Sequence, residues 1–339
     1  MSGPASPLPL KILIVRVSSL GDVVHNMPMV ADLHRNFPAA QIDWVVEEAY
    51  GPLVRLNRGV RRVIPFALRR WRRSLGSAAT RAELAAFRRA LREVAYDLVF
   101  DTQGLFKTSV VMRMARLAPG GRRIGLANAT QGSGYEPVSR IFHTQSIPVG
   151  LHTHAVQRAR TVAAVALGYE IDSPAAFCMN PAPVSSTAAS WLPQSAYAVL
   201  FHGTARAGKL WSPAHWIVIG QRLAARGMPV LLPWGSAAEK LAAQHLAQQI
   251  PGAQVLPHLP MMDAVLLAQR AALVVGVDSG LTHIAAAFER PTVEIYCDSP
   301  RWKTEGNWSP RIVNLGDTGM PPSVADVAAA IDGLLGKTA

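Results

Sequence analysis

The stretch LKILIVRVSSLGDVVHNMPMV occupies residues 10–30 and decides the fold. It begins with a nearly continuous run of branched apolar residues, which is typical of a strand buried on both faces of a parallel sheet. The run ends in a polar turn that contains Gly21 and a single acid, Asp22, and residues with helical spacing follow from Met27. The stretch therefore predicts a strand, a turn and a helix, the first part of a β-α-β unit.

The same alternation continues along the chain. Strand-like and helix-like segments follow one another through the first half, and the alternation restarts with YAVLFHG at residue 197. We therefore expect an α/β protein with two doubly wound domains that face a central cleft. The segment between them is rich in Pro, Ser and Ala and shows little periodicity, which predicts a linker. The expected parts are a disordered tip at residues 1–9, a first domain at 10–170, the linker at 171–195, a second domain at 196–322 and a closing helix at 323–339.

The composition excludes several classes of protein. Half of the 339 residues are hydrophobic and 17% are charged, so the chain can bury large cores and is not of the disordered class. The first nine residues lack the features of a secretory signal, and no segment approaches the roughly 18 apolar residues of a membrane span. Only two cysteines, Cys178 and Cys297, are present, without a CxxC pair, so neither a zinc site nor a disulfide framework is indicated. We expect a cytoplasmic protein.

The chain is strongly basic, and its positive charge is concentrated in the first half. The formal net charge is +12, and the segment from Arg55 to Arg92 holds twelve arginines and one acid, Glu83. Such a field attracts nucleic acid, an anionic membrane surface or a phosphorylated substrate. A solvated basic face that keeps the protein in solution is the alternative.

The turn after the first strand could bind a ligand, because ligands of doubly wound sheets lie beyond the carboxyl ends of the strands. Ser18 and Ser19 offer hydroxyl and amide groups, and Gly21 allows a close backbone approach. Asp22 is either a functional acid or an ordinary helix cap, which contributes about 1 kcal/mol. The dinucleotide fingerprint GxGxxG is missing from this turn.

The second strand-to-helix turn, DTQGLFKT, occupies residues 101–108. Asp101 and Gln103 are polar groups at a strand end. Lys107 follows one turn later, where it either reaches the cleft or faces solvent.

The third turn, HGTARAGKLWSPAHW, follows the strand at residues 197–201. Gly203, Thr204, Gly208 and Lys209 provide amide and hydroxyl donors with a cation, which suit a phosphate group. The P-loop pattern GxxxxGK[ST] is missing, and a basic surface loop is the alternative.

The fourth turn, VVGVDSGLTHIAAA, begins at residue 274. Asp278 ends a predicted strand, Ser279 and Gly280 form the turn, and the following helix would direct its N-terminal amides at an anion. His283 lies on the first turn of that helix, which favours a site over a purely structural histidine. Glu239, after the turn LPWG, could accept hydrogen bonds from a ribose or simply begin a helix.

Taken together, these turns resemble those of the lipopolysaccharide heptosyltransferases. The resemblance extends from about residue 10 to residue 335, and the pairing of WVVEE with RRWRR is most similar to the type I members. The motifs that carry it are KILIVRVSSLGDVVHNMP, IDWVVEE, VIPFALRRWRR, FDTQGLFKT, KLWSPAHW, LPWG and GVDSGLTHIAAA.

The resemblance implies a GT-B glycosyltransferase with two Rossmann-like domains, of which the first binds the acceptor and the second the sugar nucleotide. It implies transfer of L-glycero-D-manno-heptose from ADP-heptose to the first Kdo of Kdo2-lipid A, with inversion and without a metal or another cofactor. It also implies peripheral contact with the anionic inner face of the cytoplasmic membrane and no nucleic-acid partner. We expect a monomer.

The resemblance assigns roles residue by residue. Asp22 matches the catalytic base and Lys209 the phosphate-binding lysine of the catalytic pair. The donor-binding residues it implies are Thr204, Lys209, Glu239, Asp278, Ser279, Gly280, Leu281, Thr282 and His283. The acceptor-binding residues it implies are Ser18, Ser19, Gly21, Arg69, Arg70, Arg73, Gln103 and Lys107. Ala205, where the family can offer a second hydroxyl, and Tyr135, where an acceptor-binding arginine is expected, depart from the pattern.

The implied chemistry fits these residue types. A single inverting displacement needs one base, and Asp22 can serve; no acidic DxD pair occurs in the turns. One alternative is a transferase that adds a later heptose. Another is a nucleic-acid-binding protein without catalysis, although the arginine-rich segment offers only Phe66, Trp71 and Phe87 for base stacking. A third is a nucleotide-binding regulator in which Asp22 is only a cap.

Overall fold

A computed structural model describes residues 9–336. The chain divides into two compact units, with the boundary between Cys178 and Met179. Of the expected disordered tip, residues 1–8 lie outside the described residues, as do residues 337–339 of the expected closing helix. None of the helices formed between residues 9 and 336 is long and apolar enough to cross a membrane.

The first unit is built on a parallel sheet. Within residues 9–178 the strands are β1 (Lys11–Val15), β2 (Gln41–Glu47), β3 (Val60–Phe66), β4 (Tyr96–Asp101), β5 (Leu117–Leu126) and β6 (Gln145–Ile147). The helices are α1 (Leu20–His25), α2 (Met27–Asn36), α3 (Gly51–Val54), α4 (Leu68–Trp71), α5 (Ala78–Glu93), α6 (Phe106–Met114) and α7 (Ala155–Leu167). The strand order is β3-β2-β1-β4-β5-β6, and every pair is parallel.

The apolar run at the start of the chain forms the centre of this sheet. Ile14 of β1 lies opposite Trp44 of β2 and Phe100 of β4, and all three side chains are fully buried. Because β1 pairs with β2 on one side and β4 on the other, the strand order reverses beside β1, which is where doubly wound sheets bind ligands. The turns after β1 and β4 therefore lie next to each other.

The second unit repeats this topology. Within residues 179–336 the strands are β7 (Ala198–Phe201), β8 (Val230–Leu232), β9 (Gln254–Val255), β10 (Leu273–Val277), β11 (Thr292–Tyr296) and β12 (Ile312–Gly316). The helices are α8 (Pro213–Ala225), α9 (Ala237–Gln249), α10 (Met261–Arg270), α11 (Gly280–Ala287) and α12 (Val324–Gly336). The parallel order is β12-β11-β10-β7-β8-β9, so this order reverses between β7 and β10. The two sheets confirm the predicted α/β class.

The segment expected to link the domains is irregular except for a short 3-10 turn at Ala188–Ser190. Its first part is bound within the first unit, because the carbonyl of Phe177 accepts a hydrogen bond of 2.9 Å from Asn57 Nδ2. Its later part is bound within the second unit, where Ala182 N donates to Gln269 Oε1 over 2.8 Å. The closing helix α12 packs its buried apolar side chains into the core of the second unit.

Candidate active site

Asp22 lies at the strand-order reversal of the first sheet, in the first turn of α1. Its Oδ2 accepts hydrogen bonds from Ser19 N at 3.1 Å and Ser19 Oγ at 2.9 Å, as a helix-capping acid does. Its Oδ1 faces two guanidinium groups, Arg16 Nη2 at 2.6 Å and Arg158 Nη2 at 3.6 Å. The side chain keeps 35% of its surface exposed, so the carboxylate caps the helix and remains accessible.

The electrostatic surroundings keep Asp22 ionised. Partial burial by itself would raise the pKa of this carboxyl, but Arg16, Arg158 and the Ser19 hydrogen bonds outweigh that effect and hold the pKa well below its ordinary range. Arg158 is itself buried, and burial together with the charge of Arg16 lowers its pKa to about 10 against the opposing effect of Asp22. The acid is therefore an anion at any physiological pH.

Arg16 and Arg158 are functional candidates that lie outside the predicted site residues. Both side chains are nearly fully buried. Arg16 Nη1 donates to the carbonyl of Thr102 over 2.6 Å, and Arg158 Nη1 donates to Thr130 Oγ1 over 3.0 Å. These bonds fix both guanidinium groups against Asp22. The one sequence signal was a charge inside an apolar run, LIVRV.

The turn after β4 is joined to the turn after β1 by Gln103. The Oε1 of Gln103 accepts a hydrogen bond from Val17 N at 3.0 Å, and its Nε2 lies 3.3 Å from Ser18 Oγ. Both carboxylate oxygens of Asp101 are hydrogen-bonded within its own turn. They accept from the amides of Gln103 and Gly104 and from two hydroxyls of α6. Four of the implied acceptor residues, Ser18, Ser19, Gly21 and Gln103, thus lie around Asp22 or support its turn.

The arginines implied for acceptor binding, Arg69, Arg70 and Arg73, differ in their partners. Arg70 is exposed but bound to two carboxylates, Glu48 at 2.9 Å and Glu83 at 2.7 Å. Arg69 lies in the electrostatic environment of Lys107, whose pKa is lowered by burial and by neighbouring arginines. Arg73 is exposed. The structure therefore places Lys107 beside the cluster and pairs Arg70 with acids.

Tyr135, the departure from the family pattern, has a structural partner in the same unit. Its hydroxyl donates to the carbonyl of Ala127 over 2.8 Å. Its ring also lies against the turn after β4: a Cβ added at Gly104, where φ is +72°, would come within 2.9 Å of Tyr135 Cδ2. The tyrosine therefore packs on that turn.

In the second unit, Asp278 lies at the equivalent strand-order reversal, directly after β10. Its Oδ2 accepts from Lys209 Nζ at 2.5 Å and from Ser299 Oγ at 2.6 Å, and its Oδ1 lies 3.0 Å from His283 Nε2. Burial would raise the pKa of Asp278, but His283 and Lys209 together hold it far below its ordinary value. Two cations therefore share one carboxylate.

The other ring nitrogen of His283 faces a second acid. Nδ1 lies 3.1 Å from Glu294 Oε1, on a side chain that is completely buried in β11. Burial would lower the pKa of His283, but Glu294 and Asp278 outweigh it and raise the pKa to about 10. Asp278, His283 and Lys209 are predictable from their turns in the sequence, whereas Glu294 lies outside these turns.

The remaining donor-loop residues begin α11. Ser279 is its N-cap residue, and its Oγ lies 3.0 Å from the hydroxyl of Thr282. The Thr282 hydroxyl in turn donates to the carbonyl of Val277 over 2.7 Å, so this side chain closes the turn. Gly280 and Leu281 form the first turn of the helix, and their amides belong to its positive end.

Glu239 caps helix α9. Its Oε2 accepts from Gly235 N at 2.6 Å and Ser236 N at 3.1 Å, while its own amide donates to Ser236 Oγ over 3.2 Å. A Cβ at Gly203 would lie 2.7 Å from Glu239 Cδ, so only glycine allows this approach to the loop after β7. Thr204 and Glu239 line one cavity of about 250 Å³ between α8 and α9. Among residues 9–336, no three His, Cys, Asp or Glu side chains form a group that could hold a metal ion.

Comparisons with known proteins show the family to which the chain belongs. The family model for glycosyltransferase family 9 (heptosyltransferase) matches residues 84–326. The chain is 37% identical over 288 residues to lipopolysaccharide heptosyltransferase 1 of Pseudomonas aeruginosa, covering 85% of this chain and 78% of that protein. It is 36% identical over 289 residues to lipopolysaccharide heptosyltransferase 1 of Escherichia coli K12, covering 85% and 88%.

Solved structures give the same answer. Escherichia coli heptosyltransferase WaaC with ADP is 31% identical, with a TM-score of 0.81 over 96% of this chain and 100% of that one. WaaC with ADP-2-deoxy-2-fluoro heptose is 32% identical, with a TM-score of 0.75 over 97% and 100%. The predicted GT-B fold class, the enzyme class and the resemblance are thereby confirmed. The chain belongs to glycosyltransferase family 9, the heptosyltransferases.

Proposed function

We propose that this chain transfers L-glycero-D-manno-heptose from ADP-heptose to the first Kdo of Kdo2-lipid A, with inversion and without a metal. The relatives that are 36–37% identical carry the name lipopolysaccharide heptosyltransferase 1, which supports this acceptor over a heptosylated one. The observation that carries the chemistry is an ionised, partly exposed carboxylate, Asp22, at the strand-order reversal of the first sheet.

Asp22 would act as the base. The acceptor hydroxyl attacks the anomeric carbon, a C–O bond forms on one face, and the bond to the diphosphate breaks on the other, which inverts the centre. The hydroxyl proton passes to the Asp22 carboxylate, and ADP leaves with the bonding electrons. Because Arg16 and Arg158 make this carboxylate a weak base, the proton moves late, once the forming C–O bond has made the hydroxyl acidic.

The leaving diphosphate would be stabilised by the second unit. Lys209 Nζ supplies a positive charge, and the amides at the start of α11 supply oriented donors, so charge that gathers on ADP meets preorganised partners. The donor set Thr204, Glu239, Asp278 and His283 belongs to the same unit. Charge stabilisation by a lysine and helix amides is a route that needs no metal.

Acceptor phosphates and carboxylates would be bound by Arg69, Arg73 and Lys107. Guanidinium groups suit such anions because they donate paired hydrogen bonds. Arg70 contributes less in this proposal, since Glu48 and Glu83 already occupy its donors. Its role is to hold the segment that carries Arg69.

A peripheral contact with the anionic inner face of the cytoplasmic membrane completes the proposal, for a monomeric protein located in the cytoplasm. Phe106 on α6 and Val138 and Ile141 on the 3-10 helix Pro137–Phe142 are 47%, 47% and 67% exposed, and Lys107 and Arg140 flank them. Apolar side chains beside cations are typical of membrane-surface contacts. Ile141→Ser should reduce binding to vesicles that contain phosphatidylglycerol, whereas Leu241→Ser, equally exposed on α9, should not.

The decisive experiment measures ADP release from ADP-heptose with Kdo2-lipid A as acceptor, in EDTA. Asp22→Ala and Asp22→Asn should each lower kcat by about 10³-fold while ADP still binds. If the wild type turned over only on a heptosylated acceptor, the proposed acceptor would be wrong and the proposed chemistry would stand. Absence of ADP release with both acceptors would refute the proposed activity. Full activity of the two variants would refute the role of Asp22 as the base and leave it as a helix cap.

A further inference from the structure

Glu294 is a completely buried acid that belongs to none of the strand-to-helix turns. It lies in the middle of β11, and each of its oxygens has a defined partner. Oε1 lies 3.1 Å from His283 Nδ1, and Oε2 accepts from Tyr296 OH at 2.8 Å and Gly306 N at 3.0 Å. A buried carboxylate is costly unless it is paired, so its presence here calls for a cation.

The geometry identifies that cation as His283. Each of its ring nitrogens lies within hydrogen-bond distance of a carboxylate oxygen, Nδ1 near Glu294 and Nε2 near Asp278. A neutral imidazole has only one N–H, so one nitrogen would then direct a lone pair at an anion. The protonated ring satisfies both contacts, and with Lys209 it balances the two acids.

The other elements around α11 do not alter this balance. From β11, Tyr296 contributes a neutral hydroxyl whose pKa is raised well above its ordinary value by burial and by Glu294. Lys209 bonds to Asp278, and Ser299 is uncharged. On α10, which packs against α11, Asp263 accepts a hydrogen bond from Thr187 at 3.3 Å.

We propose that Glu294 is a positioning residue for the transferase reaction, which keeps His283 as an imidazolium that competes with Lys209 for Asp278. Because Asp278 already has one permanent cationic partner, Lys209 can turn from it to the donor diphosphate. Without that partner, Asp278 would hold Lys209 more tightly. The inference rests on the proposed function, because it assigns Lys209 to the diphosphate.

Glu294→Gln tests this arrangement with little change of shape. The amide oxygen can accept from Tyr296 and Gly306, which leaves its NH2 group facing Nδ1 and favours a neutral ring that still donates from Nε2. The variant therefore removes the charge of His283 and keeps its bond to Asp278. We expect kcat/KM for ADP-heptose at pH 8 to fall about 10-fold, as expected when one charge-assisted contact is weakened.

Acidification should reverse this loss. As the pH falls from 8 to 6, His283 of Glu294→Gln takes up a proton and the kcat/KM deficit relative to wild type should shrink. Glu294→Asp should retain most of the activity at every pH. Tyr296→Phe is the matched control, because it removes a hydrogen bond to the same carboxylate and leaves the charge in place.

The charge of the ring is read directly from the 15N chemical shifts of His283 in the unliganded protein. The wild-type ring should stay protonated from pH 6 to 9, and the ring of Glu294→Gln should titrate within that range. A ring that stays protonated in the variant, or a kinetic loss that is equal at all pH values, would overturn the inference. If the wild type showed no transfer at all, the proposed function would fail, while the 15N titration would still decide whether Glu294 sets the charge of His283.

Discussion

The two units share one strand order, yet the acids at their strand-order reversals are in opposite situations. Asp22 is 35% exposed and faces two buried arginines, whereas Asp278 is 7% exposed and is bonded to Lys209 and His283. Both carboxylates are ionised because cations lower their pKa. Topology therefore fixes where an acid lies, and the loops around it decide whether it stays partly exposed or is enclosed by its cationic partners.

The largest expected effects are losses of kcat, and ADP affinity should distinguish Lys209, the partner of Asp278, from Asp22. Lys209→Ala should lower kcat by about 10²- to 10³-fold, because in the proposed mechanism its charge stabilises the departing ADP. It should also weaken ADP binding by about 10-fold, since a charge-assisted contact to phosphate is lost. Asp22→Ala should lower kcat comparably and leave ADP affinity unchanged. Steady-state kinetics and calorimetry of ADP binding measure both, and equal losses of ADP affinity would contradict the division of roles.

A smaller effect concerns the pH dependence of stability. The pKa of His283 is raised to about 10, so its stabilising contribution is complete below its ordinary pKa and is lost as the pH rises through about 10. The pKa of Asp22 is lowered, so its contribution to stability is complete above the ordinary pKa of an aspartate. That contribution is lost only in strong acid. Between pH 7 and 10 the second unit should lose about 3 to 4 kcal/mol of stability through His283.

Thermal melting between pH 7 and 10 checks this expectation. Glu294→Gln serves as the reference, because its His283 is already neutral above pH 8 and has no proton left to lose. The melting temperature of the variant should depend less steeply on alkaline pH than that of the wild type. Parallel curves would show that His283 does not carry a raised pKa.

Gly203→Ala should weaken binding of ADP-heptose by about 1 kcal/mol. The added methyl group would displace Glu239 from its position beside the loop after β7. The KM for ADP-heptose should rise about 5-fold with little change in kcat, since the proposed function assigns Glu239 to donor binding. Gly333→Ala in α12, whose Cβ would meet nothing within 4 Å, is the control and should leave both constants unchanged. An unchanged KM in Gly203→Ala would show that Glu239 does not contribute to donor binding.

The smallest effect should distinguish two adjacent arginines. Arg70 is already bound by Glu48 and Glu83, so Arg70→Ala should change the KM for Kdo2-lipid A by no more than about 2-fold. Arg69→Ala should raise it by about 5- to 10-fold, as expected for loss of a guanidinium contact to an anion. Steady-state kinetics with varied acceptor compares them. A larger effect at Arg70 would restore the equal roles that the sequence suggests.

The sequence predicted the central strands well because their residues leave few choices. KILIV, YDLVF and LVVGV are apolar except for Lys11 and Asp97, and such runs form buried parallel strands. β5 was not foreseen, since LAPGGRRIGL contains three glycines and two arginines and its first half is partly exposed. α10 was also missed, because six consecutive residues of MMDAVLLAQR, Asp263 to Ala268, are buried where the helix packs beside α11, and such a run lacks the one-sided pattern of a surface helix.

The residues of the candidate site that follow a strand end were predicted from local spacing, and those that the fold brings in from distant positions were missed. Asp22 and the Asp278 turn each follow an apolar run at a strand end, which is visible in the sequence. Arg158 lies on α7, far along the chain from Asp22, and no periodicity indicates which of its neighbours it faces. Glu294 was hidden in PTVEIYC, although a lone acid inside a buried strand is itself a signal that a cation lies nearby.

The fold also reduces the charge that the basic segment presents. Arg61 and Arg62 both bond to Asp43, which is fully buried, and Arg62 also reaches Glu93. These acids come from outside the segment, so a count along the chain overstates the local charge. Fewer counterions condense at such a surface and fewer are released when it meets an anionic partner. The proposed association with an anionic membrane should therefore weaken with rising ionic strength more gradually than it would if all twelve arginines were unpaired.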